Sequence, residues 1–358
     1  MLYSGVFDKK TTELFLLEDE ISTELAGSLI WKLAPPKVAP RKPPGPAPYA
    51  AYLKGRYFWN RRTRSSIHQA IDYFKEAIAA DPEYALAYAG LADAYLLLPA
   101  YERIPNTEMM PMARAAAERA IRMDRDLAEP HASLGLLAEN YDYDWATAER
   151  EFLTALRLNP TYPSARHWYA EYIGTMGRVR ESETEFERAR SLDPLSAAIP
   201  ADEAKIFWFN RQYGKAAALA RESLALDPTF TLAHLILGAS LVDLGNCSGA
   251  VAEVGSGIVD NSDTTLTVRT FVNWRCGFHA EAMSTLARLV GEGRAEGTPF
   301  MVAAGYAAVG DSDRAQQWLE RTVTERGFGL STLRCNPEFD SIRSGARFRQ
   351  LLASLRLN

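Results

Sequence analysis

The chain has 358 residues, 47% of them hydrophobic and 24% charged, which is enough apolar material to bury a continuous core. A net charge of -5 with a pI near 5.7 argues against a general nucleic-acid binder, which must neutralise phosphates with Lys and Arg. No stretch approaches the roughly 20 apolar residues of a membrane span, and the first residues lack the basic start and apolar run of a signal peptide, so the sequence is read as cytoplasmic.

Thr11 to Leu33 reads as one amphipathic helix, with Leu14, Leu17, Ile21, Leu25 and Leu29 on one face and acidic residues towards its start, where they suit the helix dipole. Residues 34–48 hold seven prolines in fifteen positions and read as an extended, semi-rigid linker. The run from Lys32 to Arg64 carries nine Lys or Arg and no acid, interleaved with Tyr49, Tyr52, Tyr57, Phe58 and Trp59. Such a run can stack on bases or lie on anionic lipid. The helical spacing of its aromatics favours a solvated linker joined to a packed first unit.

Beyond the linker, Asn159-Pro160, Asp193-Pro194 and Asp227-Pro228 place prolines 34 residues apart twice over, the period of a helix-turn-helix repeat. A proline cannot continue the preceding helix, because it lacks an N–H and its ring clashes with the turn before. Counting back from Pro82, Pro160 and Pro194, small residues recur where two helices must cross closely: Ala70 and Ala77, Ala148 and Ala155, Ser182 and Ala189. Phe74, Phe152 and Phe186 each lie four residues after the first small position, on the same helix face. The pattern is one of packing; Arg125 replaces the closing proline of the second unit, and no Asp-Pro closes the sixth or seventh, so that boundaries after Gly257 are less sharply marked. Pro337 to Leu357 reads as a final amphipathic segment that covers the last apolar face.

Searching for chemistry gives little. Gly291-Glu292-Gly293-Arg294 lacks the spacing and the preceding strand of a phosphate loop. His68, His131, His167, His234 and His279 fall in different units without metal-ligand spacing, so no metal is expected. Cys247, Cys276 and Cys335 are odd in number and far apart, and read as buried free thiols in preference to a disulfide or a reactive site. With no nucleophile elbow and no paired carboxylates in an apolar context, the reading is non-enzymatic, with no cofactor.

Tyr88, Leu91, Ala92 and Tyr95, together with the second-helix pattern of small residue, Phe, small residue and Pro, resemble the tetratricopeptide repeat (TPR) family. The resemblance implies an all-α fold: a right-handed α-solenoid of about eight TPR helix pairs over residues 49–327, between the N-terminal amphipathic helix and a C-terminal capping helix within residues 328–358. Its second-helix anchors would be Ala70, Ala113, Ala148, Ser182, Ala216, Ala250, Ala282 and Ala315. A narrower resemblance lies in residues 2–8 and 14–21, in 52–60, in Tyr141-Asp142-Tyr143-Asp144-Trp145 and in the tail from Phe339 to Leu352. These look like blocks of bacterial multidomain signalling proteins with a TolB-like amino-terminal domain, of which residues 1–33 would be a remnant. Such proteins often carry an upstream winged-helix regulator, kinase or cyclase.

In TPR proteins, exposed first-helix positions line a concave groove that holds a segment of a partner. Here they would be Tyr49, Tyr52, Arg56, Trp59, Asp93, Glu139, His167, Glu171, Lys205, Trp208 and Trp274. Exposed aromatics with Arg are the residue types that dominate binding energy, although Trp59, Trp208 and Trp274 could instead pack between neighbouring first helices. The expected function is a protein-protein interaction scaffold with a protein or peptide segment as partner, nucleic acid being disfavoured. The alternative is a regulatory remnant of a bacterial signalling protein, a transcriptional regulator or kinase, acting in trans.

Overall fold

A computed structural model of the chain describes residues 45–102, 104–256, 261–291 and 298–357. The expected N-terminal helix and most of the proline-rich linker lie outside the described residues. Among those residues there are seventeen α-helices and no strand, and the first sixteen pair as eight helical hairpins. The pairs are α1 (Pro46–Asn60) with α2 (Arg64–Ala80), α3 (Ala85–Tyr101) with α4 (Asn106–Met123), and α5 (Glu129–Leu137) with α6 (Trp145–Leu158). They continue as α7 (Pro163–Thr175) with α8 (Val179–Leu192), α9 (Ala198–Phe209) with α10 (Tyr213–Leu226), and α11 (Thr231–Asp243) with α12 (Cys247–Gly255). The last two are α13 (Asp263–Arg275) with α14 (His279–Val290), and α15 (Pro299–Ala308) with α16 (Ser312–Thr324). Two short 3-10 turns, Leu330–Thr332 and Pro337–Phe339, then lead to α17 (Ala346–Ser354).

The anchors explain the pairing. Ala70, Ala113, Ala148, Ser182, Ala216, Ala250, Ala282 and Ala315 are all at most 1% exposed, and beside three of them Phe74, Phe152 and Phe186 are fully buried. The first helices come so near that a Cβ on Gly90 would lie 2.5 Å from the Phe74 ring, and one on Gly135 would lie 2.8 Å from that of Phe152. A large residue on one helix thus fills the space that a small one leaves on its neighbour, as close-packed interiors require.

The closing turns follow from local chemistry. The Asp81, Asn159 and Asp227 side chains each accept a hydrogen bond from the amide two residues on, at 3.0, 3.0 and 2.8 Å. This stops the helix while the intervening proline prevents its continuation. In the second unit Asp124 accepts from the Asp126 amide at 3.0 Å, so the same turn forms with Arg125 in the proline's place. At the other end of the array, α1 begins at Pro46, inside the segment read as linker from sequence. A proline suits the first helical turn, where its missing N–H is not needed.

Two findings correct the sequence reading. Cys247 and Cys276, expected to be free, form a disulfide with Cα atoms 5.5 Å apart, and Cys335 is the remaining thiol. The bridge joins the start of α12 to the residue capping α13, positions that the sequence separation of 29 conceals. Cysteine usage therefore gives no support to a reducing compartment.

The second correction concerns the tail. It does not merely cover the last unit, but returns across the array to its early units. Asn106 Nδ2 donates to the Arg326 carbonyl at 2.7 Å, Tyr143 Oη to that of Gly327 at 2.9 Å, and Arg334 to that of Met176 at 2.9 Å. Phe328 packs against the core of the first four units, while Tyr143, Trp145 and Met176 pack against the core of the last two and the tail.

Candidate functional site

The first helices turn their inner faces towards one another, and the returning tail closes the space between them. Trp59 of α1 meets Trp168 of α7 edge to face, with ring centroids 6.1 Å apart. The inner faces of the first and fourth units are therefore in direct contact. What stays open is a channel of about 710 Å³, walled by residues from every unit and by the tail from Phe328 to Glu338. Leu136, Leu232, Leu235, Ile236, Phe300 and Phe328 supply much of its apolar surface. Among the described residues, five carboxyl groups, those of Glu102, Glu139, Glu171, Asp263 and Glu338, line it against two cations, Arg64 and Lys205.

Glu139 has an unusual local origin. After α5 the chain makes a π-turn over Ala138–Asp142, ended by Tyr143 in the left-handed conformation at φ 54°. Such turns occur often at functional sites. This one places Glu139, 5% exposed, on the channel wall. Burial raises its carboxyl to about 8, a nearby Glu171 adds to the shift, and the Ser331 hydroxyl and Lys205 only partly oppose it. Glu338 is likewise pushed by burial to about 7, with Asn336 Nδ2 donating to it at 2.9 Å.

Beside Glu139 is a cluster of charged groups. Lys205 Nζ donates to Glu171 and to Asp202 at 2.7 Å each, and His167 Nε2 lies 3.0 Å from Asp202 and 3.7 Å from Glu171. Burial disfavours the Lys205 ammonium, but Asp202 and Glu171 outweigh it and hold the lysine charged. Burial also works against an ionised Asp202, yet Lys205 and His167 keep its carboxyl below the usual carboxylate range. His167, Glu171 and Asp202 are close enough to share a cation. Lys205 already supplies the positive charge there, and a metal ion would have to displace it.

Of the eleven residues expected to line an exposed groove, Glu139, Glu171, Lys205 and Trp208 border the channel. Six of the eleven are buried: Tyr49, Trp59, Asp93, Glu139, His167 and Trp208. Curvature presses the inner faces together where an open groove would leave them wet. Arg56 and Asp93 form an ion pair at 2.9 Å, and Ser133 donates to Asp93 at 2.6 Å. Burial raises Asp93 to about 6, partly offset by those two partners. Tyr52 packs between Phe74 and Tyr84, with centroids 5.9 and 5.5 Å away. Half-buried Trp274 stacks edge-on against His279 at 4.3 Å. Sequence reasoning missed Ser331, Asn336 and Glu338, because a repeat period carries no information about a tail that folds back.

No family model matches the chain. Over 171 residues it is 22% identical to the transcriptional regulator HilA of Salmonella typhimurium, which covers 48% of this chain and 31% of that protein; HilA of Salmonella typhi matches to the same extent. The chain thus spans about a third of the length of the curated relatives it matches. Among solved structures it resembles the human IFIT1 dimer with m7Gppp-AAAA, with a TM-score of 0.57 and 14% identity over 86% of this chain and 78% of that one. A thermophilic TPR protein of Thermus thermophilus gives a TM-score of 0.44 and 15% identity over 55% of this chain and 100% of that one. The buried anchors and the eight helix pairs define an all-α, TPR-type helical-repeat solenoid. No helix among the described residues is long and apolar enough to cross a membrane.

Proposed function

We propose that this protein is a non-enzymatic interaction scaffold that holds a short segment of a partner protein in its central channel. The observation that carries this reading is the channel itself. At about 710 Å³ it falls in the range of specific ligand sites, apolar with a few placed polar groups. Its charged groups are largely engaged with one another, Lys205 with Glu171 and Asp202, and Arg64 with Glu102. That arrangement suits holding a ligand more than moving protons on it. With Glu139 and Glu338 raised by burial to about 8 and about 7, Glu102, Glu171 and Asp263 still outnumber Arg64 and Lys205 among the described lining residues, an excess that does not favour a phosphate chain such as the capped oligonucleotide bound by IFIT1.

Half-buried Thr264 lies on the channel wall, and Thr264→Trp would fill the space beside it. Peptides selected from a displayed library by the intact protein should lose binding to Thr264→Trp, while its melting temperature is retained. Equal binding by both proteins would overturn the channel reading, and tight binding of m7Gppp-AAAA would replace it with a nucleic-acid one.

A second reading is favoured by the 171-residue match to HilA, a transcriptional regulator. In it, the solenoid is the regulatory part of a bacterial signalling protein, and the segment it holds belongs to the machinery it controls.

A further inference from the structure

We propose that Glu139 forms an anchor subsite for one basic side chain, an Arg guanidinium or a Lys ammonium, of the segment in the channel. This inference rests on reading the channel as a segment-binding site, and it adds what that segment must carry.

The argument begins with charge. Glu139, Glu171 and Asp202 are three neighbouring acidic groups, and Lys205 is the ammonium among them. Its hydrogen bonds go to Glu171 and Asp202 at 2.7 Å each, which leaves Glu139 with a neutral bonded partner, the Ser331 hydroxyl. A buried carboxylate without a bonded cation is costly, so the group keeps its proton instead. That protonated acid is positioned on the wall of the channel by a π-turn.

Surrounding geometry narrows the ligand. Leu136 and Phe328 also line the channel, and an apolar stem can lie on such surface while its charged head reaches the carboxyl. A phosphate or carboxylate would meet Glu171 and Glu338 on the same wall. A purely apolar side chain would leave the acid as it is, with no gain from ionising it.

Binding proceeds with a balanced proton exchange. The Glu139 carboxyl releases its proton to solvent, and the resulting carboxylate accepts hydrogen bonds from the arriving cation. The groups that face Glu139 during this change are Glu171 from α7, Lys205 from α9 and Ser331 from the first 3-10 turn. With the carboxyl near 8 in the empty channel, binding at pH 7 releases about one proton.

Four acetylated and amidated pentapeptides, Ser-Leu-Xaa-Leu-Ser with Xaa as Arg, Lys, norleucine or Glu, test this by calorimetry at pH 7 in two buffers of different ionisation enthalpy. The Arg or Lys probe should bind about tenfold more tightly than the norleucine probe and release a proton. In Glu139→Gln the preference and the proton release should vanish while the norleucine affinity is kept. Norleucine binding as tightly as Arg to the intact protein would overturn the anchor and leave the segment reading standing. No binding by any probe, norleucine included, would overturn both. Should Glu139→Gln melt below the assay temperature, the intact protein decides alone: tight Arg binding without proton release overturns the anchor.

Discussion

The Trp145 indole Nε1 donates to the carbonyl of Leu355 at 2.7 Å, joining two residues 210 positions apart in the chain. With the bonds from Asn106 to Arg326 and from Tyr143 to Gly327, it fastens the tail to the second and third units. Trp145→Phe removes the donor but keeps much of the ring, and should lower stability by about 1–2 kcal/mol in denaturant unfolding. Deleting residues 326–358 should uncover the apolar surface beneath Phe328, Phe339 and Phe348, with loss of the monomer peak in light scattering. A truncated chain that stays monomeric and melts like the intact one would show that the tail does not close the array.

Ala148 sits at a helix crossing with no exposed surface, whereas Leu153 on the same helix is 47% exposed. Ala148→Leu should overpack the crossing and cost about 1–3 kcal/mol. Leu153→Ala should stay within about 0.5 kcal/mol of the parent. Matching melting curves for the two variants would shift the assigned register.

Closing a loop with ends 29 residues apart, the Cys247–Cys276 bridge should stabilise the chain by about 3–4 kcal/mol on the loop-entropy account. Reductant should lower the melting temperature of the intact protein and leave that of Cys247→Ser/Cys276→Ser unchanged. Burial pushes the Cys335 thiol to about 11, so iodoacetamide at pH 8 should label it slowly before reduction. Fast labelling of three thiols without reductant would show that the bridge does not form.

Four buried carboxyls keep their protons above the ordinary carboxylate range: Glu139 to about 8, Glu338 and Glu203 to about 7, and Asp93 to about 6, each through burial first. In the unfolded chain they ionise near pH 4, so between about pH 4 and 8 the folded state binds more protons and stability must fall as pH rises. Melting temperature should therefore decline from about pH 5 to 8.5, and Glu139→Gln should flatten the upper part of that decline. Asp202 acts in the opposite direction and only in acid, where protonating it removes the partner of Lys205 and His167. A melting temperature that rises from pH 5 to 8.5 would contradict these burials.

Much of the fold was legible because each repeat packs mainly on its neighbours, and a neighbour contact leaves a short-range signature. Ala148 and Phe152, four residues apart, announce a helix face that must receive another helix. The Asx turn at Asp124 shows that even the unit without a closing proline kept a readable stop. The candidate site was far less legible. Whether Trp59 faces solvent or Trp168 depends on curvature accumulated over three units, and no single repeat encodes that sum. The partnership of Cys247 and Cys276 depends on how two consecutive units stack, and Glu338 enters the wall only because the tail returns. The block Tyr141 to Trp145 and the tail from Phe339 to Leu352 looked like separate points of resemblance, yet in the folded chain Tyr143 and Trp145 pack against the core to which Phe339, Ile342, Phe348 and Leu351 belong.

That return has a consequence for how such a protein can change. An open stack of repeats can gain or lose a unit at modest cost, since each unit answers only to the next. Here the tail must land on Asn106, Tyr143 and Trp145, so the number of units between them is set by a distance that has to close. One additional hairpin anywhere between the third unit and the tail would leave the two ends of that span unable to meet. The array is counted as well as stacked, and its unit number is as much a part of the fold as its core.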